Sequence, residues 1–210
     1  MSPKNYVVEH MEPEMGPWST LEYTAIATET AASGSTFYLS SLQPQLAENL
    51  PATLTPLLRE DAFVATTKDV EMISGVEKEK VCLLDPQAEE TLSPRDAERF
   101  EWFVFGGILG DDPPRDRTAE LRKYGYTGRN LQKLQMTTDT AVRVTRIVVE
   151  EGKKIDEIPY TDFPTLQINK NESTEMPFRY VKDEQGEPVM PEGMLELIKE
   201  DANKSLDDLF

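Results

Sequence analysis

Apolar residues in this chain come in short clusters, and their spacing changes from strand-like to helix-like along it. Asn5 to Glu9 (NYVVE), Thr36 to Ser40 (TFYLS), Phe63 to Thr66, Lys80 to Leu84 and Glu101 to Phe105 are brief β-branched and aromatic runs that predict strands. Helical spacing begins near Trp18, with Leu21, Ala25 and Ala32 near one face and Ile26 beside it, and Ser33-Gly34-Ser35 stops it. Thr140 to Glu151 is apolar around most of its circumference, which predicts a largely buried helix with Arg143, Arg146 and Glu150 on a wetter stripe. Thr137, Thr138 or Asp139 would start that helix, and Pro191 opens a last one carrying Met194, Leu195, Leu197 and Ile198.

Weaker signals fill the gaps. Pro44, Pro51 and Pro56 break any helix over 43–60 into pieces. Thr67-Lys68-Asp69 is a plausible helix start, residues 87–99 are helix-prone with Ser93-Pro94 as a start signal, and Arg117 to Tyr124 should be helical. Gly128 to Met136 reads as irregular or briefly extended. Ile155 to Tyr160 and Leu166 to Asn169 predict short strands, and Phe178 to Val181 with Pro188 to Met190 flank a hairpin turn at 183–186. Strands interleaved with helices predict an α/β domain with a mostly parallel sheet.

Three strand ends then collect small or polar residues: Leu84-Asp85-Pro86, Gly106 to Asp111, and Gln135 to Asp139. In open α/β sheets ligands bind at the carboxyl ends of strands, where glycines leave room for a cofactor. Three such loops could enclose a flat adenine ring and a charged tail, or could simply be tight turns. Gly106-Gly107-Ile108-Leu109-Gly110 lacks the GxGxxG spacing of a dinucleotide site, and no GxxxxGK[ST] phosphate loop exists.

Composition narrows the chemistry. One cysteine, Cys82, excludes an internal disulfide and a cysteine-cluster zinc site, and its apolar surroundings predict a buried structural thiol in a reducing, cytoplasmic setting. The single histidine, His10, is expected at a strand's end, and alone it cannot form a multi-histidine metal centre. No apolar run is long enough to span a membrane. With 39 acidic against 22 basic residues the net charge is −17, which argues against a general nucleic-acid surface and suits a basic protein partner. A local basic island interrupts this pattern: Arg115, Arg117, Arg122, Lys123, Arg129 and Lys133.

The segments VCLLDP, FVFGGILGDDPPRDRT, LQMTTDTAVR and NKNESTEMPFRYV, with VVEHME near the start and SLDDLF at the end, together resemble one family. It is the SPOUT-class, S-adenosylmethionine-dependent methyltransferases that modify a protein arginine in fungi and related eukaryotes, whose archaeal relatives are labelled RNA methyltransferases. The resemblance implies a SPOUT α/β sheet with a C-terminal trefoil knot over residues 1–171, and a hairpin, helix and acidic tail over 172–210 packed on the same domain. It implies cofactor contacts from Leu84, Asp85 and Pro86; from Gly106, Gly107, Ile108, Leu109 and Gly110; and from Leu134, Gln135, Met136, Thr137 and Thr138, with Ala141 lining the helix start. It further implies that the acceptor is an arginine of the third protein of the small ribosomal subunit, monomethylated. RNA methylation is the alternative.

An arginine acceptor fits the charge. A guanidinium is protonated to a pKa above about 12 and binds carboxylates in a fork, so acids would orient its plane and accept its proton. Glu9, Asp111, Asp116, Asp139 and Glu175 are the acids near the expected pocket; Glu9 and Asp116 are favoured, with Glu175 as a third candidate. SPOUT proteins are usually dimers, but the acidic C-terminal segment and like charge on both copies predict a monomer here.

Overall fold

The computed structural model describes residues 3–106, 118–169 and 172–207, with backbone alone for 203–207. Six strands form a parallel sheet in the order β3-β2-β1-β5-β4-β6. They are β1 (Asn5–Glu9), β2 (Thr36–Ser40), β3 (Phe63–Ala65), β4 (Val81–Leu84), β5 (Trp102–Gly106) and β6 (Thr127–Arg129). Because every pairing is parallel, Glu9, Ser40, Ala65, Leu84, Gly106 and Arg129 all end at one side of the sheet.

The central strands are apolar on both faces, as a sheet covered on both sides requires. Tyr6, Val8, Cys82, Leu84, Phe103 and Phe105 face one core with α1 (Pro17–Ala32) and α5 (Thr138–Glu151). Val7, Val81, Leu83, Trp102 and Val104 face the other, covered by Val70, Ile73, Tyr124, Tyr126 and Leu121 of α4 (Thr118–Arg122). The strand and helix positions expected from the sequence hold within a residue or two for these elements.

Elsewhere the structure corrects the expectation. The predicted α/β order needs no change over 43–60, where the chain is broken into pieces as expected, α2 (Pro44–Glu48) and a single 3₁₀ turn. The predicted helix over 87–99 shrinks to α3 (Asp96–Arg99). Asp85 takes the Gln87 N–H in a local turn and Asp96 takes the Ser93 N–H, so side chains compete with the helix for backbone donors. Ile155 to Glu157 is a 3₁₀ turn rather than a strand. The 183–186 hairpin closes as expected, with the Gly186 N–H on the Asp183 carbonyl, the Val189 N–H on the Val181 carbonyl and an antiparallel bridge between Lys182 and Pro188, while the longer ladder of β10 (Arg179–Val181) is with β7 (Tyr160–Asp162). Pro188 and Pro191 withhold the donors that a longer hairpin would need.

β8 (Thr165–Asn169) and β9 (Glu172–Glu175) form a second two-stranded ribbon. Leu166, Met176, Phe178 and Tyr180 pack with Leu195 and Ile198 of α6 (Met194–Asp207) and with Trp18 of α1. The C-terminal segment thus shares its apolar cluster with the first helix. Among the described residues no helix is long and apolar enough to cross a membrane.

Candidate active site

A cavity of 320 Å³ opens at the carboxyl ends of β4 and β5, within the size range of small-molecule sites. Leu84, Pro86 and Gln87 form one wall, and Phe105 and Gly106 the next. The segment from Leu131 to Met136, which leaves β6 and leads into α5, forms the third, and Thr138 and Ala141 close it from the first turn of α5. Thr118 and Arg122 of α4 also reach it. Leu84, Pro86, Gly106, Leu134, Gln135, Met136, Thr138 and Ala141, expected in three separate loops, line this one cavity.

Two expected contacts stand differently. The Asp85 carboxylate is held by Arg122 in a bidentate pair, both contacts at 2.6 Å, and faces an adjoining groove with Glu89 and Glu90. Burial pushes the Asp85 carboxyl up, but the Arg122 guanidinium and the Gln87 N–H outweigh it and hold the group below the usual carboxylate range. Thr137 precedes α5 and donates its hydroxyl to Thr140 Oγ1 at 2.8 Å, away from the cavity wall. Gly107, Ile108, Leu109, Gly110, Asp111 and Asp116 lie outside the described residues.

The other acids fall in different places. Glu9 ends β1 one strand from Gly106, yet it is buried and both its oxygens are engaged, by the Ser41 hydroxyl and by the Val70 N–H at 2.7 Å. It therefore joins β1 to the loops after β2 and β3, and Ser41 adopts a left-handed φ of 57° to meet it. Glu175 is exposed on the β8–β9 ribbon and does not line the cavity, which corrects its expected place in the pocket. Asp139 is buried and ion-paired to Arg143 at 3.2 Å, so its charge is balanced inside the fold. His10 does end a strand, but its ring sits between the Tyr23 hydroxyl and the Glu14 carbonyl, a packed position with no opening to the cavity.

Behind the third wall lies a polar cluster that the sequence pattern did not announce. Glu22, fully buried on α1, accepts the Thr138 N–H at 3.0 Å and so caps α5 from another helix. Burial, then the nearby Asp139 charge, raise the Glu22 pKa well above the ordinary carboxyl value. Glu22 Oε2 and Asp139 Oδ1 are both buried acceptors without a donor; a proton on Glu22 supplies one, and burial raises the Asp139 pKa as well, with the Arg143 guanidinium opposing that rise. Arg143 and Arg146, expected on a wet stripe, instead bind Glu29 of α1. Their neighbour Glu150 accepts from Tyr6 and Ser35, each at 2.7 Å.

Among the described residues of the basic island, Arg129 pairs with Asp96 and Glu90 and Arg122 with Asp85 inside the fold, and Lys123 pairs with Glu120 at the surface. The two arginines are thus committed to carboxylates of the chain itself. Gln135 Nε2 and Thr138 Oγ1, on cavity residues, are buried without a protein partner. An apolar slot between Leu84, Phe105 and Ala141, walled by residues that also carry polar groups, Gln135 and Thr138, suits a flat heterocycle bearing polar edges. Among the described residues no cluster of His, Cys, Asp or Glu could hold a metal ion.

Comparison with known proteins agrees with this chemistry. The chain is 46% identical over 217 residues to protein arginine N-methyltransferase SFM1 of Saccharomyces cerevisiae, covering 98% of this chain and 99% of that protein. The crystal structure of the yeast arginine methyltransferase SFM1 complexed with SAM superposes with a TM-score of 0.86 at 44% identity, covering 96% of this chain and 92% of that one. A Trm10 structure from Thermococcus kodakaraensis shares the fold at 18% identity and a TM-score of 0.51, over 74% of this chain and 96% of that one. The profile of the SFM1-like protein arginine N-methyltransferases matches residues 5–205, and the chain belongs to that family.

Proposed function

We propose that this protein transfers a methyl group from S-adenosylmethionine, bound in the cavity between β4, β5 and α5, to an arginine side chain of a basic protein. The observation that carries the reading is the cavity itself. It has apolar faces matched to an adenine, contributed by the ends of β4 and β5 and the start of α5, with the polar residues Gln135 and Thr138 among its lining. When bound, S-adenosylmethionine supplies the methyl group on its sulfonium. The chain itself contributes positioning. Leu84, Pro86, Phe105 and Ala141 exclude water from the slot, and the 131–136 segment offers backbone and side-chain polar groups to the ligand's edge. The chain's two glycines after β5, Gly107 and Gly110, are proposed to leave room for it, with Ile108 and Leu109 between them. Asp85 would act indirectly, by holding Arg122 and the turn at Pro86 in place.

For the acceptor, Asp116 is the proposed carboxylate that would orient the guanidinium and accept its proton. Glu9 would serve that acceptor only through the loops it anchors. An acidic protein at −17 attracts a basic partner, and a small-subunit ribosomal protein is the proposed substrate, receiving one methyl group. A C-terminal trefoil knot is the proposed topology. Its support is the path of the chain, which adds β6 outside β4, on the side away from β5, and then returns through 131–136 to place α5 against α1. Residues 172–210 are proposed to belong to the same folding unit.

Incubation with methyl-labelled S-adenosylmethionine and separate ribosomal protein and ribosomal RNA fractions tests the assignment. Label on a protein arginine is expected. Label found only in RNA would overturn it, and so would no label in either. Intact-mass analysis of the product should show a gain of one methyl group.

A further inference from the structure

The segment that forms the cavity's third wall is tied down by one residue of the C-terminal region, Arg179. Its backbone N–H donates to the Gln135 carbonyl at 2.8 Å, and a parallel bridge joins Met136 to Arg179. Its guanidinium is used on three sides. Nε and Nη2 form a fork on the Asp162 carboxylate at 2.6 and 2.9 Å, the Tyr160 ring lies under the guanidinium carbon at 4.5 Å, and Nη1 donates to Gln132 Oε1 at 2.9 Å. Asp162 and Tyr160 belong to β7, which is paired with β10, so the guanidinium is fixed from the ribbon side and reaches one cavity residue with its remaining edge.

Gln132 is an unusual place to aim that edge. It has a left-handed φ of 71°, a conformation that side-chain-bearing residues adopt at a cost of about 1 kcal/mol or more. Such a residue persists only where its surroundings over-determine it. Here the constraints are two: its own N–H on Asn130 Oδ1 at 2.9 Å, and its side chain on Arg179. Leu131 through Met136 all line the cavity, so the conformation at Gln132 sets where the following four residues present their groups.

We infer that Arg179 is a positioning residue for the cofactor pocket, acting through Gln132 to hold the 131–136 wall in its binding geometry. This rests on the reading that the cavity takes S-adenosylmethionine. The C-terminal ribbon then supplies, from the same chain, the outer support of the pocket. The Asp162 carboxyl is held below its ordinary range by the Arg179 hydrogen bonds, in keeping with a fixed fork.

A double-mutant cycle on S-adenosylmethionine affinity tests this, by calorimetry on the full chain, with Arg179→Ala, Gln132→Ala and the double variant. The wild type comes first: no binding by it refutes the cofactor reading itself and this inference with it. Given binding, each single variant should weaken the Kd about five- to tenfold, the upper part of the net range of one hydrogen bond. Stoichiometry should stay near one, and for Arg179→Ala, at a residue that does not line the cavity, kcat at saturating cofactor should stay within about twofold. The double variant should be no weaker than the singles, because both remove the same link. Arg179→Lys, which keeps the charge but not the fork, should behave like Arg179→Ala. If Arg179→Ala fails to fold, Gln132→Ala with Arg179→Lys carries the same comparison. Unchanged affinity, losses that multiply in the double variant, or a loss seen only as a smaller active fraction would each overturn the inference.

Discussion

Replacing Glu22 by Gln should make the protein's stability less dependent on pH, and the size of the change follows from one buried proton. Glu22 is fully buried, caps the Thr138 N–H with one oxygen, and has Asp139 beside the other. Burial raises its folded pKa well above 4.5, and the Asp139 charge adds to the rise. A carboxyl raised on folding contributes stability that is fully present below the unfolded pKa and is lost as pH rises through the folded value. Between those limits the folded state holds one more proton than the unfolded state, so stability falls by about 1.4 kcal/mol for each pH unit. Gln keeps the oxygen that accepts from Thr138 and offers an N–H to Asp139 without a proton to lose. Arg143 and Asp139 on α5, Glu29 on α1 and Tyr180 on β10 also face this cluster and remain in both proteins, so the difference between the two reports the proton held by the Glu22–Asp139 pair. Urea unfolding of both at a series of pH values from 4.5 upward should show the variant gaining on the wild type by about that slope. Parallel stability curves would refute the protonated assignment. Glu22→Ala, which leaves both the Thr138 N–H and the Asp139 oxygen unanswered, should instead cost about 2–4 kcal/mol near pH 4.5, a deficit that narrows as pH rises and the wild type loses the Glu22 contribution.

Breaking the Asp85–Arg122 fork by Asp85→Asn should destabilise by about 2 kcal/mol at neutral pH, read by urea unfolding, since Arg122 is only partly exposed. Because the folded Asp85 pKa is depressed, that contribution is present above the ordinary value of 3.8 and is lost as pH falls through the lower folded value, so the two proteins should converge in acid. Gly128→Val should cost about 1–3 kcal/mol, because even a Cβ at Gly128 would stand 3.0 Å from the Ala88 Cβ. Ala141→Phe, placing a ring in the slot beside Leu84 and Phe105, should abolish S-adenosylmethionine binding in calorimetry while the fold, checked by circular dichroism, persists. Light scattering should give the monomer mass of 23.8 kDa, and twice that value would overturn the monomer.

What could be read in advance was what local pattern encodes. A central parallel strand is apolar on both faces, so Val81 to Leu84 and Trp102 to Phe105 announce themselves in four or five residues, and Gly106 at the end of one marks an opening. β6 gave a much weaker sign: in Thr127-Gly128-Arg129 only Thr127 favours a strand and Gly128 opposes it, so the free edge of β4 is what makes the three residues extended. The same limit explains the charged residues. On a helix Arg143 and Glu22 have the spacing of a solvated stripe, and only the packing of α5 on α1 turns them inward, where each needs the other helix's acids or donors.

That limit falls hardest on the site. The cavity's walls are reached by local signals, but what holds them is long-range: Glu22 meets Thr138 across 116 residues, and Arg179 meets Gln132 across 47. Buried polar groups must find partners wherever the fold brings them, and the partner's position in the chain leaves no trace in the spacing around either one. A pocket of this kind therefore shows in sequence as small residues at strand ends. The polar clamps that set its geometry become visible only when α1, α5 and the β7–β10 ribbon are seen packed behind it.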